Sequence, residues 1–443
     1  MNLDERLENV SVIGAAGKMG SGIAVLIAQE MAKLKVKNKD KIYRLNLIDV
    51  NDAALDGLRE FIKAQTTKVA EKSIVSLRSM YEERKDLIEN WEIIDAFVDD
   101  AFAVVRCGTD LRMAENSRMV FEVIAEDEAI KTKVLRELNE MCGDETFFFT
   151  NTSSIPIGVL DEQAGLSGRI IGYHFYNPPI VQRLVEVITA GTTRQELKDI
   201  GAELGKRLRK KLIPSNDISG FIGNGHFMRD GLYAISEVER LEPDYSMAGA
   251  IYIMNRISQD FLIRPMGIFQ LIDYVGVDVF QCILRVMRKH LGDETLQSEL
   301  IDSLVNNNVL GGQRPNGSQK DGFLKYERNR PVAVYDPEKA QYVPIEEKWG
   351  KNLDSKIGPL PAGFSPWRVL LREPNKEDKL LAYFGNLGEA KTLGVQLARA
   401  YLARTKEVAQ KLVKDGVANS EEDVNSVLTN GFYWLYGPIN DYI

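Results

Sequence analysis

Only three cysteines, Cys107, Cys142 and Cys282, occur among 443 residues. They are odd in number and unpatterned, which argues against a disulfide-stapled extracellular scaffold and gives the expectation of reduced thiols in a cytoplasm. Long apolar runs are missing as well. Nothing approaches the roughly 18 residues of a membrane-spanning helix, and Met1-Asn2-Leu3-Asp4-Glu5-Arg6 does not read as a signal peptide. A membrane is therefore not an expected partner. Positive charge is not in surplus: 56 Lys and Arg stand against 64 Asp and Glu, a net charge of −8, so nucleic acid is not expected either. An anionic substrate would need a local basic patch. Histidine is as scarce as cysteine, with His174, His226 and His290 the full set.

What is present fits an ordinary globular enzyme, at 44% hydrophobic and 27% charged residues and a length that suggests two or three domains. Asn9-Val10-Ser11-Val12-Ile13 reads as a short buried strand. It runs into Gly14-Ala15-Ala16-Gly17-Lys18-Met19-Gly20 and then the helical pattern from Ser21 to Ala28. Strand, glycine turn and helix together are the context a dinucleotide fingerprint requires. Gly14 permits the tight turn, Gly17 lets the backbone approach a pyrophosphate, and Gly20 lets the helix pack close. The next strand, Leu45-Asn46-Leu47-Ile48, ends in Asp49, whose carboxylate suits a ribose diol and repels a 2′-phosphate, so NAD is favoured over NADP. The spacing is G-x-x-G-x-x-G, one residue longer than usual, and a Lys-rich loop from Lys35 to Tyr43 delays the acid.

The segment His174-Phe175-Tyr176-Asn177-Pro178-Pro179 lies between two strand-like runs, Ile170 to Tyr173 and Arg183 to Ile188. An Asn-Pro-Pro bend reverses the chain, because proline fixes φ and cannot continue a ladder. The reversal can present Glu186 to His174, and a His oriented by a carboxylate is a general base suited to neutral pH. Taken alone, a His at a strand end with its Glu facing water is the plainer account.

Strand and helix patterns alternate to about residue 215, as in a parallel sheet with helices on both faces. Asp52 to Glu89 is a helical region whose many lysines read equally as a solvated hairpin. Strands Ser117 to Ile124 and Thr146 to Thr150 put Glu126, Asn151 and Ser153 in loops beside the nicotinamide half of the cofactor. Helices take over at Asn216-Asp217-Ile218-Ser219-Gly220-Phe221-Ile222-Gly223-Asn224. Asn316 to Asp321 reads as a turn, residues 331–374 with seven prolines read as an irregular connection, and a second helical unit follows. The expected division is 1–216, 217–330, a linker at 331–374, and 375–443.

These motifs together resemble the L-3-hydroxyacyl-CoA dehydrogenase family over most of the chain. The resemblance is carried by the glycine turn with Met19-Gly20, Glu122-Val123-Ile124-Ala125-Glu126, Asn151-Thr152-Ser153-Ser154, the His174 segment, Leu184-Val185-Glu186-Val187 and Gly220-Phe221-Ile222-Gly223-Asn224. Arg264-Pro265-Met266-Gly267 with Leu271-Ile272-Asp273-Tyr274-Val275-Gly276 is similar to the family's C-terminal domain. Asp423-Val424-Asn425 with Gly431-Phe432-Tyr433-Trp434-Leu435-Tyr436-Gly437-Pro438 looks like a second copy. The resemblance implies an α/β Rossmann-type N-terminal domain followed by all-α C-terminal domains in two tandem copies, as in the dehydrogenase part of multifunctional fatty-acid oxidation proteins. It implies NAD-dependent oxidation of a (3S)-3-hydroxyacyl-CoA, with His174 as base, Glu186 orienting it, and Ser153 and Asn224 bonding the substrate oxygens. Gly14, Gly17, Lys18, Met19, Gly20, Asp49, Glu126, Lys131, Ser153 and Asn177 would contact NAD, and Lys72 would lie near the CoA phosphates. The family often dimerises through its C-terminal domain, so a monomer or a homodimer is expected here. Gly225 stands where a basic residue is common.

Other accounts remain open at this level. Ser153 and Asn224 could be helix caps, Lys131 could extend a charged helical face, His226 lacks a matching acid, and His290 sits in a charged helix. The same scaffold could serve a free hydroxy or sugar acid, or a non-catalytic NAD-binding protein.

Overall fold

The computed structural model describes residues 1–314 and 317–442, in two compact units, Met1–Asp217 and Ile218–Ile443. Asn316, at the head of the expected turn, lies outside the described residues.

The first unit is built on one eight-stranded sheet. Its strands are β1 (Asn9–Ile13), β2 (Arg44–Ile48), β3 (Val105–Gly108), β4 (Met119–Glu122), β5 (Phe147–Thr150), β6 (Ile170–Phe175), β7 (Leu184–Thr189) and β8 (Lys211–Asn216), in the order β3-β2-β1-β4-β5-β6-β7-β8. All neighbours pair in parallel except β6 and β7, which are antiparallel. The order reverses between β1 and β4, which opens a crevice at the carboxyl ends of those strands. The central strands are buried along their whole length, as in the run Phe147-Phe148-Phe149-Thr150, because helices cover both faces. Helix Lys18–Lys37 buries Ile23, Ala24, Ile27, Ala28 and Met31, while Leu55, Leu58, Ile62 and Ala70 seat helix Asp52–Lys72.

The second unit is mainly helical. Helices Phe221–Tyr245, Met247–Arg256, Ile268–Val275, Val277–Leu291 and Glu299–Asn306 precede a three-stranded antiparallel sheet, and helices Glu347–Ile357, Lys376–Glu389, Leu393–Lys414 and Glu421–Gly431 follow it. The sheet corrects the expectation of an irregular 331–374 and of an all-α region. Its strands are β9 (Leu324–Glu327), β10 (Arg330–Asp336) and β11 (Gln341–Pro344). Pro331 sits beside a register shift in β10 and Pro344 ends β11, positions where a missing N–H costs little, so a proline count misread the stretch. Segments 217–330 and 375–443, expected as separate domains, share a single hydrophobic core running from Phe227 through Phe261 and Tyr401 to Tyr436.

A buried polar network crosses that core. Arg264 donates to Asp230 Oδ2 at 2.8 Å and to Thr405 Oγ1 at 3.1 Å, Thr405 donates to Asp230 Oδ1 at 2.8 Å, and the guanidinium lies 3.8 Å over the Trp434 ring. Gly225 belongs to this packing. A Cβ there would stand 3.0 Å from Leu412 Cδ2, so helix Leu393–Lys414 fills the space a longer side chain would need.

Candidate active site

The chain leaves β1 through a turn that only glycine can make. Gly14 has φ +81° and its N–H donates to Ile48 O at 2.8 Å. A Cβ on Gly14 would lie 2.7 Å from Val123 O, and one on Gly20 2.1 Å from Gly14 O. A Gly17 N–H to Gly14 O bond of 3.2 Å spans the turn. Gly17 caps helix Lys18–Lys37 without a side chain, the arrangement in which a helix N-terminus receives a phosphate. Lys18 is exposed and Met19 half-buried as the helix opens. Asp49 faces the same turn: its Oδ2 accepts the Ala16 N–H at 2.9 Å and its Oδ1 that of Asn51 at 3.0 Å. Turn and acid fit NAD, with the carboxylate set against a 2′-phosphate.

The next layer comes from the ends of β4 and β5. One oxygen of Glu126, Oε1, accepts from Thr152 Oγ1 (2.7 Å), Ser153 N–H (2.9 Å), Ser154 N–H (2.9 Å), Ser154 Oγ (2.8 Å) and Ser153 Oγ (3.2 Å). Burial works against the Glu126 charge, yet the Lys131 ammonium and these donors hold its carboxyl below the ordinary range. Lys131 is itself 1% exposed. It donates to Glu122 Oε1 at 2.7 Å and Ile124 O at 3.2 Å and lies 3.5 Å from Glu126 Oε2. Lys131 is therefore neither a solvated face nor a group pointing outward: it fixes Glu126, and Glu126 fixes the turn bearing Ser153.

The third layer is the β6–β7 pair. His174 and Glu186 are direct partners in its register. His174 is 9% exposed and Glu186 fully buried, with Nδ1 3.5 Å from Oε1, at ion-pair range. Tyr176 donates its hydroxyl to the same Oε1, and its ring centroid is 4.9 Å from that of His174. Asn151, at the end of β5, accepts the Phe175 N–H on its Oδ1 at 2.9 Å, which ties the strand carrying the imidazole to its neighbour. Asn177 follows, half-buried.

Three relationships at this site leave no signal in the sequence. Tyr176 has no role of its own in the sequence motif, and Asn151 has no partner there. Lys210, which donates to Gln182 O at 2.6 Å and so anchors the loop after the bend, lies at the edge of a basic run. Lys72 is not brought to this group of side chains by any bond described; it ends its helix in an exposed position. Asn224 is half-buried in the first turn of helix Phe221–Tyr245, in the second unit. His226 is fully buried there, 3.3 Å from Thr405 O and edge-on to Trp434, and burial lowers its imidazole to about 4.

The glycine turn at a sheet reversal, the acid after β2 and a histidine paired with a carboxylate define a dinucleotide-dependent dehydrogenase. Comparison with known proteins narrows the class. The family described as 3-hydroxyacyl-CoA dehydrogenase, NAD binding domain, matches residues 9–218, and its C-terminal domain matches residues 256–326. A probable 3-hydroxybutyryl-CoA dehydrogenase of Deinococcus radiodurans is 30% identical over 319 residues, 71% of this chain and 99% of that protein. The human mitochondrial hydroxyacyl-coenzyme A dehydrogenase is 28% identical over 329 residues, 72% of this chain and 91% of that protein. The solved 3-hydroxybutyryl-CoA dehydrogenase of Escherichia coli K12 shares the fold, with a TM-score of 0.63 at 22% identity, covering 98% of this chain and 90% of that one. The chain belongs to the 3-hydroxyacyl-CoA dehydrogenase family. Among the described residues, no helix is long and apolar enough to cross a membrane.

Proposed function

We propose that His174 is the general base, oriented by Glu186, in the NAD-dependent oxidation of a (3S)-3-hydroxyacyl-CoA to the 3-oxoacyl-CoA, and the acid in the reverse reduction. The observation that carries this reading is the register pairing of His174 with Glu186, which faces Nδ1 with a buried carboxylate and leaves proton transfer to Nε2. NAD, when bound, supplies the hydride acceptor. His174 takes the 3-hydroxyl proton as C3 gives up its hydride, and Glu186 stabilises the imidazolium that results. Gly14, Gly17, Lys18, Met19, Gly20 and Asp49 would hold the cofactor, with Glu126 and Asn177 at its nicotinamide end. Lys131 serves that site through Glu126. Ser153 is read as a hydrogen-bond donor to the substrate oxygens, supported by the way Glu126 sets its turn. For Asn224 as a second donor and Lys72 near the CoA phosphates, the support is their family motif positions.

The same reading extends to organisation. Residues 375–443 are proposed to be a second copy of the C-terminal domain, supported by the Gly431 to Pro438 motif. Burial of Gly225 against Leu412 and of His226 against Thr405 and Trp434 gives that copy a seat within one chain, which favours a monomer over a homodimer. Free Cys107, Cys142 and Cys282 agree with a cytoplasmic setting.

The test is direct. The protein mixed with acetoacetyl-CoA and NADH should consume NADH, and His174→Gln should lower that rate by about 10²–10⁴-fold, the usual share of acid–base catalysis. Comparable turnover by the variant would sink the assignment.

A further inference from the structure

We propose that Tyr176 is a positioning residue that tunes the His174–Glu186 pair by holding the carboxylate oxygen facing the imidazole; the proposal rests on the reading of His174 as the base. Three observations carry it. The Tyr176 hydroxyl donates to Glu186 Oε1, the same atom that stands 3.5 Å from His174 Nδ1. The two rings lie 4.9 Å apart and tilted by 43°, so the Tyr176 ring also limits how the imidazole turns. Glu186 is fully buried, so water does not compete for Oε1.

A carboxylate oxygen that already accepts a phenolic O–H has less electron density to offer a second donor. Tyr176 therefore weakens the pull of Glu186 on an imidazolium and keeps more of His174 neutral, in the form that accepts a proton. Burial and the neighbouring Glu186 charge hold the Tyr176 phenol well above its ordinary range, so it stays a donor throughout the working pH range.

Charged groups on neighbouring elements have partners of their own. Gly172, two residues before His174 on the same face, packs against Ile157, and Asp217 closes on that helix start by accepting the Ile157 and Gly158 N–H groups. In the row on the other side, Thr150 pairs with Gly172 and donates to Glu122, and Glu122 is matched by Lys131, which also faces Glu126. None of these bonds involves the Tyr176 hydroxyl.

The experiment is imidazole NMR of the full chain without cofactor, titrated against pH. It reads His174 directly, because only three histidines contribute and His226 is buried. Tyr176→Phe should raise the His174 midpoint by about half a unit to one unit, as expected for losing one hydrogen bond to a buried charge that His174 shares. The acid limb of kcat/KM for oxidation should move up by the same amount. In a Glu186→Gln background, Tyr176→Phe should move the midpoint no further. An unmoved or lowered midpoint in Tyr176→Phe overturns the proposal, and so does an equal shift in the Glu186→Gln background. Retained activity in His174→Gln would remove the base assignment while leaving this titration to decide the coupling by itself.

Discussion

Pro179 lays its ring on Gly22. A Cβ built at Gly22 would lie 2.8 Å from Pro179 Cδ and 2.9 Å from Cγ. Gly22 belongs to the helix that starts at the dinucleotide turn, and Pro179 ends the bend that follows His174. The helix start at the glycine turn and the strand end carrying His174 are thus joined by one proline–glycine contact. Lys210 holds the same loop through Gln182 O.

Gly22→Ala should therefore act as an overpacking change beside the site. A well-packed interface resists an added methyl by roughly 1–3 kcal/mol. We expect a lower melting temperature and a larger fall in kcat/KM than stability alone explains, because the displaced group leads back to His174. Thermal denaturation and steady-state kinetics on the same preparation check it. Unchanged kinetics would mean that Pro179 yields without moving His174.

Asp49 gives a cofactor prediction. Its carboxylate already receives the Ala16 N–H, so its charge is fixed against the turn. Asp49→Asn keeps an acceptor for that N–H and removes the charge. NAD affinity should fall by about tenfold, and discrimination against NADP should shrink, since one charge-assisted hydrogen bond is worth on the order of 1.5–3 kcal/mol. Fluorescence titration with NADH and NADPH measures both. Undiminished rejection of NADPH would place the selectivity elsewhere.

Lys131 tests the buried carboxylates. Lys131→Met preserves length and removes the ammonium between Glu122 and Glu126. Breaking a buried pair from one side costs about 3–5 kcal/mol, because the remaining charge is left uncompensated. Urea unfolding should show that loss in the first unit. Glu122→Gln added to the same chain should recover part of it.

His226 predicts a pH dependence for the second unit. Its folded imidazole is lowered to about 4 from an ordinary 6.5, chiefly by burial, with Arg264 and Arg229 adding to the effect and Asp230 opposing it. Between those values the unfolded chain takes up a proton that the folded one refuses. Stability is therefore complete above pH 6.5 and falls as the pH drops toward 4, by about 3 kcal/mol in all. Denaturant midpoints across that range should show the slope, and His226→Gln should flatten it. A slope unchanged in the variant would assign the acid sensitivity to other groups.

The parts of this protein that depend on local chemistry are legible in its residues. Gly14, Gly17 and Gly20 between a strand and a helix admit few other uses, and an acid after the second strand completes the reading. The Asn-Pro-Pro bend between two short strand-like runs allowed Glu186 to approach His174, with a Glu facing water the plainer account until the register of β6 and β7 paired the two. Tertiary structure alone decided what depends on atoms distant in sequence. Tyr176 shares Oε1 only because β6 and β7 pair in one register, and a slip of one residue would send Glu186 to the opposite face. Lys131 looked like a surface charge until Glu122 and Glu126 enclosed it. The proline-rich stretch looked irregular because a count ignores whether each missing N–H falls at a strand end. The single core of the second unit, with Arg264 reaching Asp230 across 34 positions of sequence and Thr405 across 141, follows from packing that no local pattern encodes.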